Sequence, residues 1–411
     1  MMKKSMLIIL VTTLFSSMAF AGEIAFLVKK LKDKEILTET EAKQILILNK
    51  EKQQKQLTQT KGNLPQWTQK LKFNGDLRLR YQNENKGTYE RERLRMRFRF
   101  QGAAEITDGL SVFFGLASGG ANPRSTNQDM GETFSTKTIQ LDYVYANLLC
   151  PITAATILAG KIPNKKVIWQ PSDLLWDADI SMDGFALNKT ITDNFSLNLG
   201  YMLLEKHKTI NEEKKGNATM SILQPTFKHK TYAGTQFKLA GTIYSFANLK
   251  AAALTYSSAS NTYDKDGRLK YNYDSYSIAT ELTFYDLIYS KLAFFGEYIK
   301  NPDPIGSNEG YLLGLKFGDK EVKTFGDWQI KAMYRELQQD AWLDAFPDAD
   351  TGNTDNQGIE LALKIGLKKN MHLAVDYYYI GEVDDSDNSM DKPGHPLRPK
   401  SLIQIDLGFK F

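Results

Sequence analysis

The segment from Tyr89 to Ile106 alternates, residue by residue, between apolar or small side chains and basic or polar ones. Successive side chains of a β-strand point to opposite faces of its sheet, so a period of two residues predicts a strand. Residues 71–82 repeat the pattern. We therefore expect neighbouring strands with one apolar face and one face that carries a row of guanidinium groups. In the second strand the two sets are Leu94, Met96, Phe98, Phe100, Gly102, Ala104 and Ile106 against Arg93, Arg95, Arg97, Arg99, Gln101, Ala103 and Glu105.

The alternation continues to the end of the chain, where residues 403–411 place their apolar side chains on one face. A soluble two-sheet sandwich could also use such strands. However, an exposed apolar edge strand promotes aggregation of a soluble protein, whereas a strand that faces lipid avoids this problem. The aromatic residues Phe409 and Phe411 resemble the signal that bacterial outer-membrane barrels present to their assembly machinery.

The predicted connections between strands alternate in length. Long polar segments lie near residues 119–136, 205–228, 258–272, 339–357 and 381–399, and short turns lie near residues 190–194 and 367–371. This asymmetry is typical of an up-and-down membrane barrel, in which every second connection lies on the same side. The predicted fold class is all-β, a transmembrane up-and-down antiparallel β-barrel of about 16 strands. That count places residues 220–227 in a loop and makes residues 241–247 a turn.

The first 62 residues precede the strands and divide into two parts. Residues 1–21 have the order of a secretory signal peptide, with Lys3 and Lys4 before a short apolar run and a small-residue cleavage site that ends at Ala21. Residues 22–62 predict a helical periplasmic leader or tether. We expect two short helices there, the second with a capping box formed by Thr38 and Glu41, and then a polar tether. Residues 63–411 form the predicted barrel.

Composition and motifs narrow the functional classes. Mean hydropathy is −0.40 although 11% of the residues are aromatic, a combination that fits a membrane protein if alternate residues face lipid and water. The formal charge of +4 gives no indication of nucleic-acid binding. The four histidines are dispersed, and the sequence carries no catalytic, metal-binding or cofactor motif. We predict no catalytic residues, no metal site and no cofactor, and hence no enzymatic activity.

Several segments resemble the putative porin family of bacterial outer-membrane β-barrels, over most of the chain after Leu64. The resemblance implies a sixteen-stranded, trimeric diffusion channel and says little about the solute that passes through it. The segments are Gly160–Asn164, Ser172–Asp179, Trp328–Arg335 and Phe346–Asp350, and Leu27–Glu41 is similar to the helical leader of such proteins.

Charged side chains that line a water-filled barrel determine its selectivity. The strand register predicts two sets of such side chains, and it also predicts that tyrosines near strand ends, Tyr145 among them, face lipid. A second interpretation, compatible with the first, is that the arginines brace an inward-folded acidic loop, residues 173–179 or 340–350, through bidentate carboxylate pairs. The predicted basic set is Arg78, Arg80, Arg91, Arg93, Arg95, Arg97, Arg99, Lys331, Arg335 and Lys364, and the acidic set is Asp142, Glu281, Glu297, Glu360 and Asp376.

The predicted function is that of a porin in the bacterial outer membrane, a passive diffusion channel for small hydrophilic solutes with a weak anion preference. Two alternatives stay open. One is a structural barrel that tethers the outer membrane to the cell wall through its N-terminal helices, and the other is a substrate-specific channel. The expected partners are outer-membrane lipid and lipopolysaccharide, the barrel assembly machinery, further copies of the chain in a homotrimer, and the cell wall.

Overall fold

The structure is a computed structural model, and it describes residues 28, 31, 38–62, 70–87, 89–206, 216–231, 234–287, 290–383 and 399–411. The predicted signal peptide lies outside the described residues. So does the first predicted helix of the leader, apart from Val28 and Leu31. The chain divides into two units, Met1–Leu71 and Lys72–Phe411.

Helix α1 spans Glu39–Gly62 in the first unit. The Glu41 carboxylate accepts the backbone N–H of Thr38 at 2.9 Å, and Thr38 Oγ1 accepts the backbone N–H of Glu41 at 3.3 Å. The predicted capping box is therefore confirmed. The helix continues through the segment predicted to be a polar tether, so that part of the prediction is wrong. Its Lys, Gln and Glu residues are good helix formers even where they are polar on every side. No helix in the described part of the chain is both long and apolar enough to span a membrane.

The second unit is one antiparallel β-sheet. The strands are β1 Leu71–Lys86, β2 Tyr89–Thr107, β3 Leu110–Ser118, β4 Gln128–Asp129, β5 Ile139–Leu149, β6 Thr156–Pro163, β7 Ser181–Thr190, β8 Phe195–Glu205, β9 Ala218–Lys230, β10 Thr235–Ala247, β11 Tyr276–Leu287, β12 Ser290–Lys300, β13 Glu309–Gly318, β14 Trp328–Leu337, β15 Asn356–Lys368, β16 Met371–Gly381 and β17 Lys400–Lys410. Strand β4 continues the row of β3 along β2, because β3 pairs with Arg99–Thr107 and β4 pairs with Arg95 and Met96. If β3 and β4 are counted as one strand, the barrel has the predicted sixteen strands.

The sheet closes on itself because its first and last strands pair. Asp76 of β1 lies opposite Lys410 of β17, and Asn85 lies opposite Ser401. The other strands pair with their neighbours in chain order. The structure is therefore the predicted up-and-down barrel, in which closure protects the strand edges.

Most of the long connections lie at one end of the barrel and most of the short ones at the other, as predicted. The exceptions are the connection 87–88, at the end of the long connections, and the connection 319–327, at the opposite end. At one end are the connections 119–138, 164–180, 206–217, 248–275, 301–308, 338–355 and 382–399. At the other end, which we call the short-turn end, are the connections 108–109, 150–155, 191–194, 231–234, 288–289, 319–327 and 369–370. Helix α2 (Asn164–Val167) and a 3₁₀ turn at Ala349–Thr351 lie within two of the long connections.

Two long connections fold into the barrel, and we call them the first inward segment (residues 164–180) and the second inward segment (residues 338–355). The side chain of Gln224 on β9 bonds both the N–H and the carbonyl of Trp169 in the first segment, at 2.8 and 2.9 Å. Asp179 of the same segment lies 3.7 Å from Arg99 on β2. A segment that reaches such widely separated strands of a closed ring must lie inside it, which identifies the inner face of the wall.

An apolar core lies inside the barrel, where the two inward segments meet each other and the wall. Trp342 is fully buried, and its ring centroid lies 4.6 Å from that of Tyr244 on β10 and 5.5 Å from that of Trp176. The indole Nε1–H of Trp342 donates to the carbonyl of Leu175 at 2.8 Å. These contacts fix the second inward segment to the first and both to β10.

Strands β9 and β10 occupy the positions predicted to be a loop (residues 220–227) and a turn (residues 241–247), so both predictions are wrong. The alternation is weak there because both faces are apolar. Met220 and Ile222 are buried on the inner face beside the apolar core, whereas Leu223 is exposed on the outer face. Pro225 within β9 adds a residue that is uncommon in strand interiors.

A β-bulge reverses the side-chain directions within β5. The register between β3 and β5 shifts between Gly115 and Leu116. Leu141, before the bulge, is exposed on the outer face, whereas Tyr145, after it, is buried and stacks on Phe113 with a centroid distance of 5.1 Å. The prediction that Tyr145 faces lipid is wrong, because one extra residue moves every later side chain to the opposite face.

Candidate functional site

Seven arginines of β1 and β2 form a row that we call the arginine wall. On β1, Arg80 donates two hydrogen bonds to the carboxylate of Asp406 on β17, at 2.6 and 2.7 Å, and both side chains are buried. Arg80 also lies 3.7 Å from Asp350 of the second inward segment. Arg78 donates to Asn127 at 2.5 Å. The arginine wall comprises Arg78, Arg80, Arg91, Arg93, Arg95, Arg97 and Arg99.

Two carboxylates neutralise much of the positive charge on β2. Asp129 lies on β4, in the row beside β2, and Asp76 lies on β1. The positive charge of the β2 arginines is therefore compensated chiefly by carboxylates on the neighbouring strands β1 and β4. Among the predicted bracing acids, Asp179 and Asp350 approach arginines, each at 3.7 Å. The nitrogen–oxygen distances are 3.4, 3.8 and 2.7 Å from Arg91, Arg93 and Arg95 to Asp129, and 3.0 and 2.8 Å from Arg97 and Arg99 to Asp76.

The remaining predicted basic residues lie on β14 and β15, four and three strands from β1 in the closed ring. Lys331 forms an ion pair with the buried Glu360. Arg335 is 1% exposed, and its guanidinium nitrogens make no hydrogen bond to the described residues. Lys364 is partly buried and interacts electrostatically with Arg97 of the arginine wall. Lys331 and Arg335 lie on β14, away from that wall, so the structure does not bring all ten predicted bases together.

The predicted acidic residues are likewise dispersed on the inner face. Glu297 is buried and accepts a hydrogen bond from Ser172 of the first inward segment. Glu281 accepts the Thr283 hydroxyl at 3.1 Å. Asp142 and Asp376 are partly buried. The role of these side chains in lining a conducting path stays a prediction.

A cavity of about 470 Å³ lies between the arginine wall and the inward segments. Five of the predicted bases line it, namely Arg78, Arg80, Arg93, Arg95 and Arg97. Its formal charges balance. The eight basic residues are these five with Lys86, Arg124 and Lys400, and the eight acidic residues are Glu84, Asp173, Asp177, Asp179, Asp348, Asp350, Asp355 and Glu382.

Two of the acids on the inward segments differ from the others in their protonation. Burial, together with the neighbouring carboxylate of Asp179, raises the pKa of Asp177 to about 8. Burial and the nearby Asp350 carboxylate also raise the pKa of Asp348 well above its ordinary value. A carboxyl group whose charge is poorly solvated and lies near other carboxylates keeps its proton to higher pH. At neutral pH Asp177 is therefore largely uncharged, and the pKa of Asp348 is shifted in the same direction.

Two further acids hold the second inward segment in place. The fully buried Asp344 accepts hydrogen bonds from the Ser257 hydroxyl and the Ser260 backbone N–H, both at 2.9 Å. Asp340 accepts the hydroxyls of Thr262 at 2.6 Å and of Tyr273 at 2.8 Å. These acids were predicted as candidate partners of the arginines. They instead join the second inward segment to the connection 248–275.

The register prediction missed a second group of cations on the inner face, which we call the lysine cluster. It comprises Lys228 on β9, Lys238 on β10, Lys291 on β12, Lys316 on β13 and Lys331 on β14. Of these, Lys331 alone was predicted. Lys228 and Lys238 lie on the two strands that were taken for a loop and a turn, so their register could not be followed from the sequence.

The C-terminal aromatics lie where the barrel closes. Phe409 of β17 is opposite Leu77 of β1 and Met371 of β16. The backbone of Phe411 exchanges hydrogen bonds of 2.9 and 3.0 Å with Gly75, and its ring stacks on Phe98 at 6.2 Å. These contacts give both residues a structural role in closure, while their role as an assembly signal stays a prediction. Among the described residues, no cluster of His, Cys, Asp and Glu side chains could hold a metal ion.

Comparison with known proteins supports the architecture. The high-pH structure of Pseudomonas putida OprB has a TM-score of 0.55 to this chain at 11% sequence identity, covering 84% of this chain and 95% of that one. The low-pH structure of the same protein has a TM-score of 0.50 at 10% identity, covering 84% and 93%. No curated protein sequence matches the chain.

The profile of one sequence family, described as putative porin, matches residues 84–198 and 192–411. The matched residues cover well over half of the chain and include most of the barrel. The chain therefore belongs to the putative porin family.

Proposed function

We propose that the protein is a passive diffusion channel of the bacterial outer membrane, which admits small hydrophilic solutes with a weak preference for anions. Family membership and the closed barrel support the channel and its location. An up-and-down barrel of sixteen strands is wide enough to enclose water. The cavity of about 470 Å³ beside the arginine wall is lined mostly by charged and polar residues. It therefore supports a water-filled lumen in this chain.

The protonation of the cavity acids carries the proposed charge preference. Eight basic and eight acidic residues line the cavity, and Asp177 is largely uncharged at neutral pH. Burial and the Asp350 carboxylate shift the pKa of Asp348 in the same direction. The cavity then has at least one more positive than negative charge. A small excess lowers the energy of an anion in the lumen without creating a deep binding site, which favours a weak preference.

Planar-bilayer recording of the refolded full-length mature protein tests the proposal. We expect stepwise conductance increments and, in a KCl gradient at pH 7, a reversal potential displaced modestly toward the chloride equilibrium potential. Absence of conductance steps from correctly folded protein would refute the channel. A reversal potential displaced toward the potassium equilibrium potential would refute the anion preference and leave the channel intact.

The tethering alternative concerns the first unit and stays a prediction. Deletion of residues 22–61 separates it from the channel proposal. Detachment of the outer membrane from the cell wall with unchanged solute uptake would favour the tether. The proposed homotrimer, the contact with lipopolysaccharide and recognition by the barrel assembly machinery also stay predictions.

A further inference from the structure

The lysine cluster contains two pairs of like charges that lie directly opposite each other on neighbouring strands. Lys238 of β10 pairs with Lys228 of β9, and Lys316 of β13 pairs with Lys331 of β14. Like charges at directly opposed positions destabilise a sheet. An arrangement with two such pairs therefore requires a compensating group nearby.

The described carboxylates near the cluster compensate it only in part. Glu360 forms an ion pair with Lys331. Glu281, which lies opposite Lys238 in the register, interacts electrostatically with both Lys238 and Lys316. Lys316 and Lys331 also interact electrostatically with Asp173, Lys331 with Asp376, and Lys316 with Glu297. The Lys316–Lys331 pair is therefore compensated. Among the described residues, Glu281 is the one carboxylate that acts on Lys238, so the Lys228–Lys238 pair keeps one excess positive charge.

The ammonium groups are held over aromatic rings and remain reachable from the lumen. Lys238 Nζ lies 4.1 Å from the ring centroid of Trp169, and Lys316 Nζ lies 4.7 Å from that of Phe295. Neither lysine is fully buried, and Lys228 is exposed. Cation–π contacts orient an ammonium group, but they do not neutralise its charge, so its N–H groups can still donate to an anion.

The five lysines share one end of the lumen. Lys228 and Lys316 lie near the ends of β9 and β13, whereas Lys238, Lys291 and Lys331 lie near the starts of their strands. All five are thus close to the short-turn end. The first inward segment separates them from the arginine wall, because it contacts Lys238 through Trp169 and Arg99 through Asp179.

We infer that the Lys228–Lys238 pair of the lysine cluster is a binding site for small oxyanions with two or more negative charges, at the short-turn end of the lumen. This inference rests on the proposed channel and adds a class of solute to it. A multivalent oxyanion can accept charge-assisted hydrogen bonds from both members of a lysine pair at once. A monovalent anion can neutralise one ammonium group only and leaves the repulsion within the pair.

Block of the chloride current by pyrophosphate tests the site in planar bilayers. In the unaltered protein we expect a concentration-dependent, saturable block. Citrate should block in the same way, because the proposed site recognises negatively charged oxygen atoms rather than phosphorus. In Lys228→Gln/Lys238→Gln the half-blocking concentration should rise at least tenfold. An unchanged half-blocking concentration in that variant would overturn the site, as would a block by acetate as strong as the block by pyrophosphate.

A matched control removes two exposed lysines from short connections at the same end, in Lys320→Gln/Lys369→Gln. We expect its half-blocking concentration to change less than twofold. A tenfold rise in the control as well would show that general surface charge causes the block, and would refute the site. If the double variant does not refold, the single variant Lys238→Gln, which removes one member of the same pair, provides the comparison.

Calorimetric titration of pyrophosphate into folded protein in detergent separates this inference from the channel itself. Saturable heat that is lost in Lys228→Gln/Lys238→Gln supports the site even if no conductance is found, in which case the channel proposal alone fails. Conducting protein without saturable heat and without saturable block keeps the channel and removes the site.

Discussion

The lumen has two cationic regions that differ in how their charge is compensated. The arginine wall lies beside Asp76, Asp129 and Asp406, and its most buried member forms a bidentate pair. The lysine cluster contains opposed like charges, and Glu281 is the one described carboxylate that acts on Lys238 of the Lys228–Lys238 pair. A row of arginines is therefore not by itself a source of strong positive potential.

The difference follows from the chemistry of the two side chains. A guanidinium group is planar and presents paired N–H donors that match a carboxylate, so arginine on adjacent strands of a wall forms fixed, buried pairs. An ammonium group is a compact charge on a flexible stem and loses entropy when it is held in one geometry. We conclude that the arginine wall chiefly stabilises the barrel near its closure, and that the Lys228–Lys238 pair keeps positive charge that no ion pair among the described residues fixes in place.

The largest expected effect concerns the contacts that hold the two inward segments together inside the barrel. Trp342→Ala removes a fully buried indole that joins both inward segments to β10. Truncation of a buried Trp costs about 4 kcal/mol of the free energy of unfolding, to be measured by urea unfolding in lipid vesicles. We also expect a higher single-channel conductance, because the inward segments lose their anchor.

Phe325→Ala is the control for this substitution, since Phe325 is 83% exposed in a short connection. Its free energy of unfolding should change by less than about 0.5 kcal/mol. An equal loss of the free energy of unfolding in the two variants would show that truncation of any aromatic side chain in this barrel has the same cost. It would contradict the role of Trp342 as the anchor of the inward segments.

A pair of substitutions tests the difference in compensation directly. Arg80→Ala leaves the buried Asp406 carboxylate without its bidentate partner, which should cost about 3 kcal/mol of the free energy of unfolding. Lys238→Ala removes one member of an opposed lysine pair, so its cost should lie within about 0.5 kcal/mol of zero or be favourable. The same urea unfolding measurement compares both. Similar costs for the two variants would contradict the distinction between a compensated and an uncompensated region.

The same contrast explains which parts of the molecule could be predicted from the sequence. Strands β1, β2 and β17 have an apolar outer face and a charged or polar inner face, so their alternation is plain and the inner arginines could be named from the sequence. Strands β9 and β10 have an inner face that packs on the apolar core around Tyr244 and Met220, so their two faces look alike in the sequence. The bulge in β5 is also invisible to a fixed period of two.

Ion pairing between distant residues was the part of the site that no local pattern could show. Arg80 and Asp406 are separated by 326 positions along the chain and meet only because the barrel closes. The raised pKa values of Asp177 and Asp348 also depend on contacts between distant parts of the chain. The two acids belong to different connections that come together inside the lumen. The types of residue that line the lumen could be predicted from the sequence. Their ion-pair partners could not, because these depend on closure of the barrel and on the inward folding of two segments.

The smallest expected effect is a pH dependence confined to the arginine side of the lumen. The pKa of Asp177 is raised to about 8 by burial and by its neighbouring carboxylates, so the group is uncharged below that pH and negative above it. Ionisation adds negative charge to the cavity, and the preference for chloride should therefore fall as the pH rises from 7 to 9.

Reversal potentials in a KCl gradient across this pH range measure the change, which we expect to be a few millivolts because one charge is gained among sixteen formal charges. Asp177→Asn should flatten the profile, since an amide at this position does not titrate. Asp264→Asn, in the connection 248–275, should leave it unchanged. A profile that persists in Asp177→Asn would assign the titration to Asp348 or to another group. A profile abolished in Lys228→Gln/Lys238→Gln, which lies beyond the first inward segment, would show that the two cationic regions act as one.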